Sequence, residues 1–380
     1  VRAPPVLFFS RESDRVNAEP PAQHAPSILV EPTYGYRGPD GGPHRPTLRE
    51  VLREWVDAMD GVHHQSRRLT AAFFLFHVAA TIVGVAAFVN FTWDGLAYGV
   101  AAGLLMSFVY HTLWYHRYCS HASFSFTSPW FARALLWTNP LAFREEMYAI
   151  PHRVHHDRSD QVGDPYGPHL GWLGSYLASE SQQKINTAID KRRYEALVRS
   201  LKHIGFPANR YDTFQKSGGV EPTSHYLART AFAQTLWILV SYTAGGWHYV
   251  TVWYSAVSIF IFFMRDFPWR GHGGNFRMHK IEGWEFDRRS RSLNTHVFGY
   301  LGGEWHDNHH LLPASANSAF LKGQLDLPFQ ILRVLCRLGI VRDYYDASET
   351  FERRRLQTEA VNEHDITTAS THSAETSLQI

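Results

Sequence analysis

Cysteine is nearly absent: Cys119 and Cys336 are the only two in 380 residues. They cannot build a disulfide framework, so a small secreted scaffold stapled by bridges is excluded, and a reducing compartment is expected. A charge excess is lacking too. Thirty-seven Lys and Arg meet 35 Asp and Glu, for a net +2, which argues against a nucleic-acid polyanion as partner. No internal repeat at a solenoid period is present. No Glu-x-x-His pair accompanies the histidine clusters described below, which sets aside a carboxylate-rich di-iron bundle.

Charge is also missing locally. Residues 69–90 run for 22 positions without a formal charge, enough to span a bilayer. A second apolar run, 95–115, leads straight into His116; a third and fourth occupy 226–245 and 248–264. His77 lies inside the first run, and Arg229 near the start of the third is long enough to snorkel to the interface. The short links near Thr92 to Asp94 and Gly245 to Trp247 contain no Lys or Arg. Arg67, Arg68, Arg117, Arg144, Lys191 to Arg193, Arg265 and Arg270 all fall on the other side of a four-span arrangement. This is the positive-inside pattern, and it puts both termini in the cytoplasm, at the endoplasmic reticulum or a bacterial inner membrane. Residues 1–46 hold nine of the 19 prolines, and 346–380 are polar; both segments read as disordered, flanking a membrane domain over 47–345. Between Thr47 and Ser66, apolar residues at helical spacing predict an amphipathic helix that packs on the domain or lies on a membrane surface.

What is abundant is histidine, 23 in all. His152-Arg-Val-His155-His156 and His306-Asp-Asn-His309-His310 each place histidines at i, i+3 and i+4, one face of a helix, so three imidazoles are expected to converge on one point. Chance would supply about a tenth of one such triplet in a chain of this composition. His116-Arg-Tyr-Cys-Ser-His121 spaces two histidines by five. On an ideal α-helix that is about 500°, so the two should point apart, as at an unwinding helix end or when serving two metals. Eight histidines exceed the four ligands of one zinc and suit two metals of higher coordination. Imidazole alone admits Zn, Cu, Fe or Ni. A site at a bilayer surface faces acyl chains, whose C–H bonds yield only to an oxidant, so a redox metal activating O2 is called for, iron first. His111, five residues before His116, reads as a packing neighbour rather than a ligand, and Asp157, Asp164, Glu304 and Asp307 as acceptors orienting the histidines. A non-enzymatic transporter would carry ionisable ligands at mid-bilayer depth, which the spans lack apart from His77 and His111.

The order HxxxxH, HxxHH, HxxHH with its paired apolar spans resembles the integral-membrane fatty-acid desaturases, within them the Δ9 acyl-CoA (stearoyl-CoA type) branch, over about residues 69–341. The stretches Asp164-Pro165 and His169-Leu-Gly-Trp172 are similar to that family as well. The resemblance implies an all-α integral-membrane fold, four transmembrane helices beneath a cytoplasmic helical cap, with a di-iron centre. Its implied ligands are His116, His121, His152, His155, His156, His272, His306, His309 and His310. It further implies O2 as co-substrate, a saturated acyl chain on CoA or a membrane lipid, and a cis double bond as product. The flanking segments have no room for a haem domain, so a separate electron donor of cytochrome b5 or ferredoxin type is expected. The alternative at the same ligand set is a membrane hydroxylase of that superfamily.

Overall fold

A computed structural model describes residues 27–62, 67–177, 184–271 and 303–357. His272 lies outside them.

Helix α1 (Leu48–Met59) opens on a capping box in which Thr47 and Glu50 satisfy each other's backbone N–H groups. Helix α2 (Arg68–Val89) follows, then α3 (Trp93–Leu105), which continues without a break into a π-helix, Met106–Ser120. Among the described residues, two stretches are helical, long and apolar enough to cross a membrane, Thr70–Val89 and Trp93–Ser120, with mean hydropathies of 2.3 and 1.4. Helices α4 (Pro129–Thr138), α5 (Glu145–Arg158), α6 (Gly171–Leu177), α7 (Lys191–Leu201) and α8 (Tyr211–Ser217) lead to α9, Thr223–Gly271. Helices α10 (His306–Leu311) and α11 (Leu327–Arg337) follow. Strand β1 (Phe124–Phe126) pairs antiparallel with β2 (Val341–Tyr344), fastening the C-terminal part beside the π-helix.

Helix α9 is broken at Gly245 and Gly246, whose backbones are non-helical, with Gly246 at φ 66°. Its arms fold back on each other: Trp237 stacks on Trp253 at 4.4 Å, and the Tyr254 hydroxyl lies 3.2 Å from Gln234 Oε1. Helix α2 packs against the second arm so tightly that a Cβ on Gly84 would stand 2.7 Å from Ser255 backbone atoms.

Three features depart from the sequence reading. Residues 27–46 are ordered, not free: Leu29 is buried and pairs with Ile185, with Val30 N–H donating to Lys184 O and Asn186 N–H to Ile28 O, both at 2.8 Å. This buried side chain and these backbone bonds, with Thr33 N–H donating to Glu54 Oε1 and Arg45 Nε to His169 O, lay a Pro-rich strap on the surface. Residues 348–357 are helical, with Ala347 and Phe351 buried and Phe351 stacked on Phe320 at 4.8 Å, because an i, i+4 apolar pair gives this polar segment one face to bury. Arg229 does not snorkel. It is 1 % exposed, held by Glu221 through Nε (2.7 Å) and Nη2 (2.8 Å) and by Glu145 through Nη2 (2.5 Å). A guanidinium satisfied by two carboxylates has no reason to reach for the interface.

Candidate metal centre

The π-helix settles the first cluster. Hydrogen bonding from i+5 to i brings the fifth residue back beneath the first, and His121 N–H donates to His116 O at 3.3 Å. The two rings therefore stand on one face, 5.1 Å apart, not divergent as α-helical geometry predicts. The same register stacks His111 nearly parallel to His116 at 6.3 Å, with its Nε2 3.0 Å from the Tyr148 hydroxyl.

Neither triplet converges on a single point. Ligand atoms of His116, His121, His152, His156 and His309 lie within 4.8 Å of one another, and those of His155, His306 and His310 form a second such group. The reason is angular. On an α-helix, i and i+4 stand about 40° apart, while i+3 lies about 60° to the other side. Each triplet accordingly gives its i, i+4 pair to one group and its i+3 member to the other: His152 and His156 face His309, and His306 and His310 face His155. The two helices make the same exchange in opposite senses.

Within each group the Nε2 atoms oppose one another. The separations are 2.9 Å for His116–His309, 3.0 Å for His121–His152, 3.2 Å for His152–His156 and 2.9 Å for His156–His309. In the second group they are 3.3 Å for His155–His310 and 3.0 Å for His306–His310. Second ring nitrogens are engaged as well: His155 Nδ1–H donates to Asp164 Oδ1 at 2.8 Å, and His152 Nδ1 is engaged by the Tyr166 hydroxyl at 2.6 Å. Asp164 can only accept, so it fixes the His155 tautomer with the lone pair on Nε2. With its Nε2 lone pair fixed inward, His155 cannot donate there, and so many imidazole nitrogens gathered from three motifs form a donor set that fits metal ions. Burial pulls His121 and His155 down to about 3, and holds His152, His156 and His309 well below the ordinary imidazole value. They are neutral at cellular pH, the ligating form.

Two arginines inside the motifs hold the parts together; the sequence reading counted Arg117 only for its charge and did not single out Arg153. Arg153, between His152 and His155, donates to Ser120 O (2.7 Å), Cys119 O (2.9 Å) and Ser200 Oγ (2.8 Å). It thereby takes up carbonyls at the end of the π-helix. Arg117, beside His116, makes a buried ion pair with Asp326 at 2.6 Å; Asp326 also accepts from Ser318 N–H and caps α11. The first cluster is thus tied to the second by Arg153 and to the segment carrying the third by Arg117. Their position within His-x-x-His-His and His-x-x-x-x-His was the available signal. Of the flanking acids, Asp164 orients a histidine, whereas Asp157 is exposed.

Beneath the centre, Glu145 at the start of α5 accepts from Trp114 Nε1 (3.0 Å) and Asn139 Nδ2 (2.8 Å) and pairs with Arg229. The helix carrying the second triplet is therefore anchored at its foot to the π-helix, the end of α4 and α9.

A family model described as fatty acid desaturase matches residues 91–333. The sn-1 stearoyl-lipid 9-desaturase of Synechocystis sp. is 24% identical over 281 residues, 72% of this chain and 80% of that protein. The protein of the same name from Anabaena variabilis is 27% identical over 278 residues, 70% of this chain and 90% of its own. The Delta-9 desaturase-like 2 protein of Arabidopsis thaliana is 24% identical over 260 residues, covering 66% and 77%.

Proposed function

The chain belongs to the fatty acid desaturase family, and from that premise we propose that this oxidoreductase of fatty acyl chains places a cis double bond at Δ9 of a saturated substrate, using O2 at a di-iron centre. The division of eight histidines, six of them buried and His156 and His310 half-buried, into two facing groups supports this reading above all. His116, His121, His152, His156 and His309 would hold one iron, and His155, His306 and His310, with His272 as a fourth ligand, the other. Bound there, the irons supply the O2-activating redox chemistry that an unactivated C–H bond requires.

The chain's own residues do the rest. Asp164 keeps the His155 lone pair aimed inward, and the Tyr166 hydroxyl restrains the His152 ring. Arg117 and Arg153 keep the three motifs in register. Burial of His116, His121, His152, His155, His306 and His309 keeps bulk water away from them. Taking two hydrogens from adjacent methylenes supplies two of the four electrons that turn O2 into two waters. Two more electrons and two protons are needed, which a separate donor of cytochrome b5 or ferredoxin type would deliver. Helices α2 and α3 and the two arms of α9 would make four spans, with the centre and both termini on the cytoplasmic side, where the basic residues lie. The substrate carrier is CoA or a membrane lipid; the names of the Synechocystis and Anabaena relatives make a lipid-linked stearoyl chain the first to test.

Expression in a desaturase-deficient host, with fatty acids and double-bond positions identified by mass spectrometry, tests the proposal. A new Δ9 cis-monoene that disappears in the His155→Ala variant is expected. A hydroxy acid in place of the alkene, from iron-loaded protein, would overturn desaturation in favour of hydroxylation.

A further inference from the structure

We propose that α1 lies flat in the lipid headgroup layer, with Leu48, Leu52, Val56 and Met59 immersed and Arg49 and Arg53 set against anionic headgroups. The proposal rests on the reading of α2 as a membrane span, and not on the chemistry of the metal centre.

The inward side of α1 is already committed. Val51 and Ala58 are buried, the Trp55 ring lies 4.6 Å from Phe74 of α2, and Trp55 Nε1 donates to Leu177 O of α6 at 2.8 Å. Asp57 pairs with Arg67, at the threshold of α2, at 2.7 Å. These contacts fix the helix's rotation, so its other apolar stripe cannot turn inward. Leu48 is 51% exposed, Leu52 54%, Val56 68% and Met59 42%. At 100° per residue these four fall within about 80° of one another, and Arg49 and Arg53 follow along one border. Both arginines are exposed. An apolar stripe with a basic margin is the pattern of a helix lying in an anionic interface.

What covers the stripe is indicated by its neighbour. Helix α2 begins shortly after α1 and turns its own apolar side chains outward, among them Leu75, Val78, Ile82 and Phe88. Lipid that surrounds α2 reaches the stripe of α1 at the end where the span begins. The anchor has a consequence for the centre. Through Trp55 and Leu177, α1 holds α6, which directly follows the Asp164–His169 loop, and Arg45 Nε, just ahead of α1, donates to His169 O at 3.4 Å. The depth of α1 in the headgroups would therefore set the height of the histidine groups above the acyl chains.

Site-directed spin labelling of the full chain tests this, in vesicles of phosphatidylcholine with or without phosphatidylglycerol. Single cysteines at 48, 52, 56 and 59 are labelled in a Cys336→Ser background, with the buried Cys119 left in place. Position 82 serves as the lipid control and position 352 as the water control. At all four, O2 access above and nickel-chelate access several-fold below that at position 352 are expected, intermediate between positions 352 and 82. Nickel access equal to that at 352 would overturn the proposal by placing the stripe in water. Low access to both reagents would overturn it by showing a protein partner, such as a second copy. Adding phosphatidylglycerol should deepen the label at 52, and the Arg49→Gln/Arg53→Gln pair should abolish that shift; no response to anionic lipid in the unsubstituted chain would remove the headgroup contact.

Discussion

Replacing Arg229 by Met isolates the energetics of the charge network under the centre. Arg229, Glu145 and Glu221 are each at most 2% exposed at the side chain, and three contacts of 2.5 to 2.8 Å join them. Removing one member of a buried ion pair costs about 3–5 kcal/mol, because the partner charge stays behind uncompensated. Two carboxylates stay behind here, each with a residual partner. Glu145 keeps Trp114 and Asn139, and Glu221 keeps His225 Nδ1 at 2.6 Å. A loss of about 4 kcal/mol is therefore expected. A residue snorkelling to the interface, by contrast, would lose no more than about 1 kcal/mol. Glu145 opens α5, so the metal we propose at His152, His155 and His156 should be lost before the long helices come apart. Arg229→Met is compared with the unsubstituted chain by denaturation midpoint in detergent and by iron content. Glu145→Gln added to Arg229→Met neutralises one stranded charge and should restore about 1–2 kcal/mol, a coupling of the size expected for residues in contact. The reasoning fails if Arg229→Met costs under about 1 kcal/mol, or if the double variant is no more stable than the single.

Asp164→Asn replaces the carboxylate that orients His155; metal affinity should fall about 10- to 100-fold in chelator competition, and an unchanged affinity would count against its role. Gly84→Val forces α2 away from the Ser255 backbone, so folded yield and thermal midpoint should drop, whereas Gly103→Ala, with nothing within 4 Å of its added Cβ, should be nearly silent. Equal behaviour of the two would argue against close packing of α2 on α9. Reporter tags before residue 47 and after residue 380 should be cytoplasmic and one between Trp247 and His248 external; a cytoplasmic tag at 247 would contradict four spans.

Much of the architecture was legible locally. The uncharged run over 69–90 became α2, and the link at 245–247 became the fold-back of α9, since apolar length and paired glycines act through neighbouring residues. The histidine triplets were legible as helical faces for the same reason. The ordering of residues 27–46 was not, because Leu29 is held by Ile185, far away in sequence.

By itself, then, the amino-acid sequence marked out three histidine motifs and the family to which their spacing belongs. Only the tertiary structure decided how they divide. The π-helix that aligns His116 with His121 leaves no mark in apolar periodicity, for its hydrogen-bond register is held by distant partners such as Arg153. The exchange of His155 and His309 between groups depends on how α5 and α10 face each other, which Arg117 and Asp326 help to fix. Arg229 could be read locally only as a charge near an apolar run. The carboxylates that bury it lie on α5 and just ahead of α9, and a local pattern cannot report a partner that folding alone brings near.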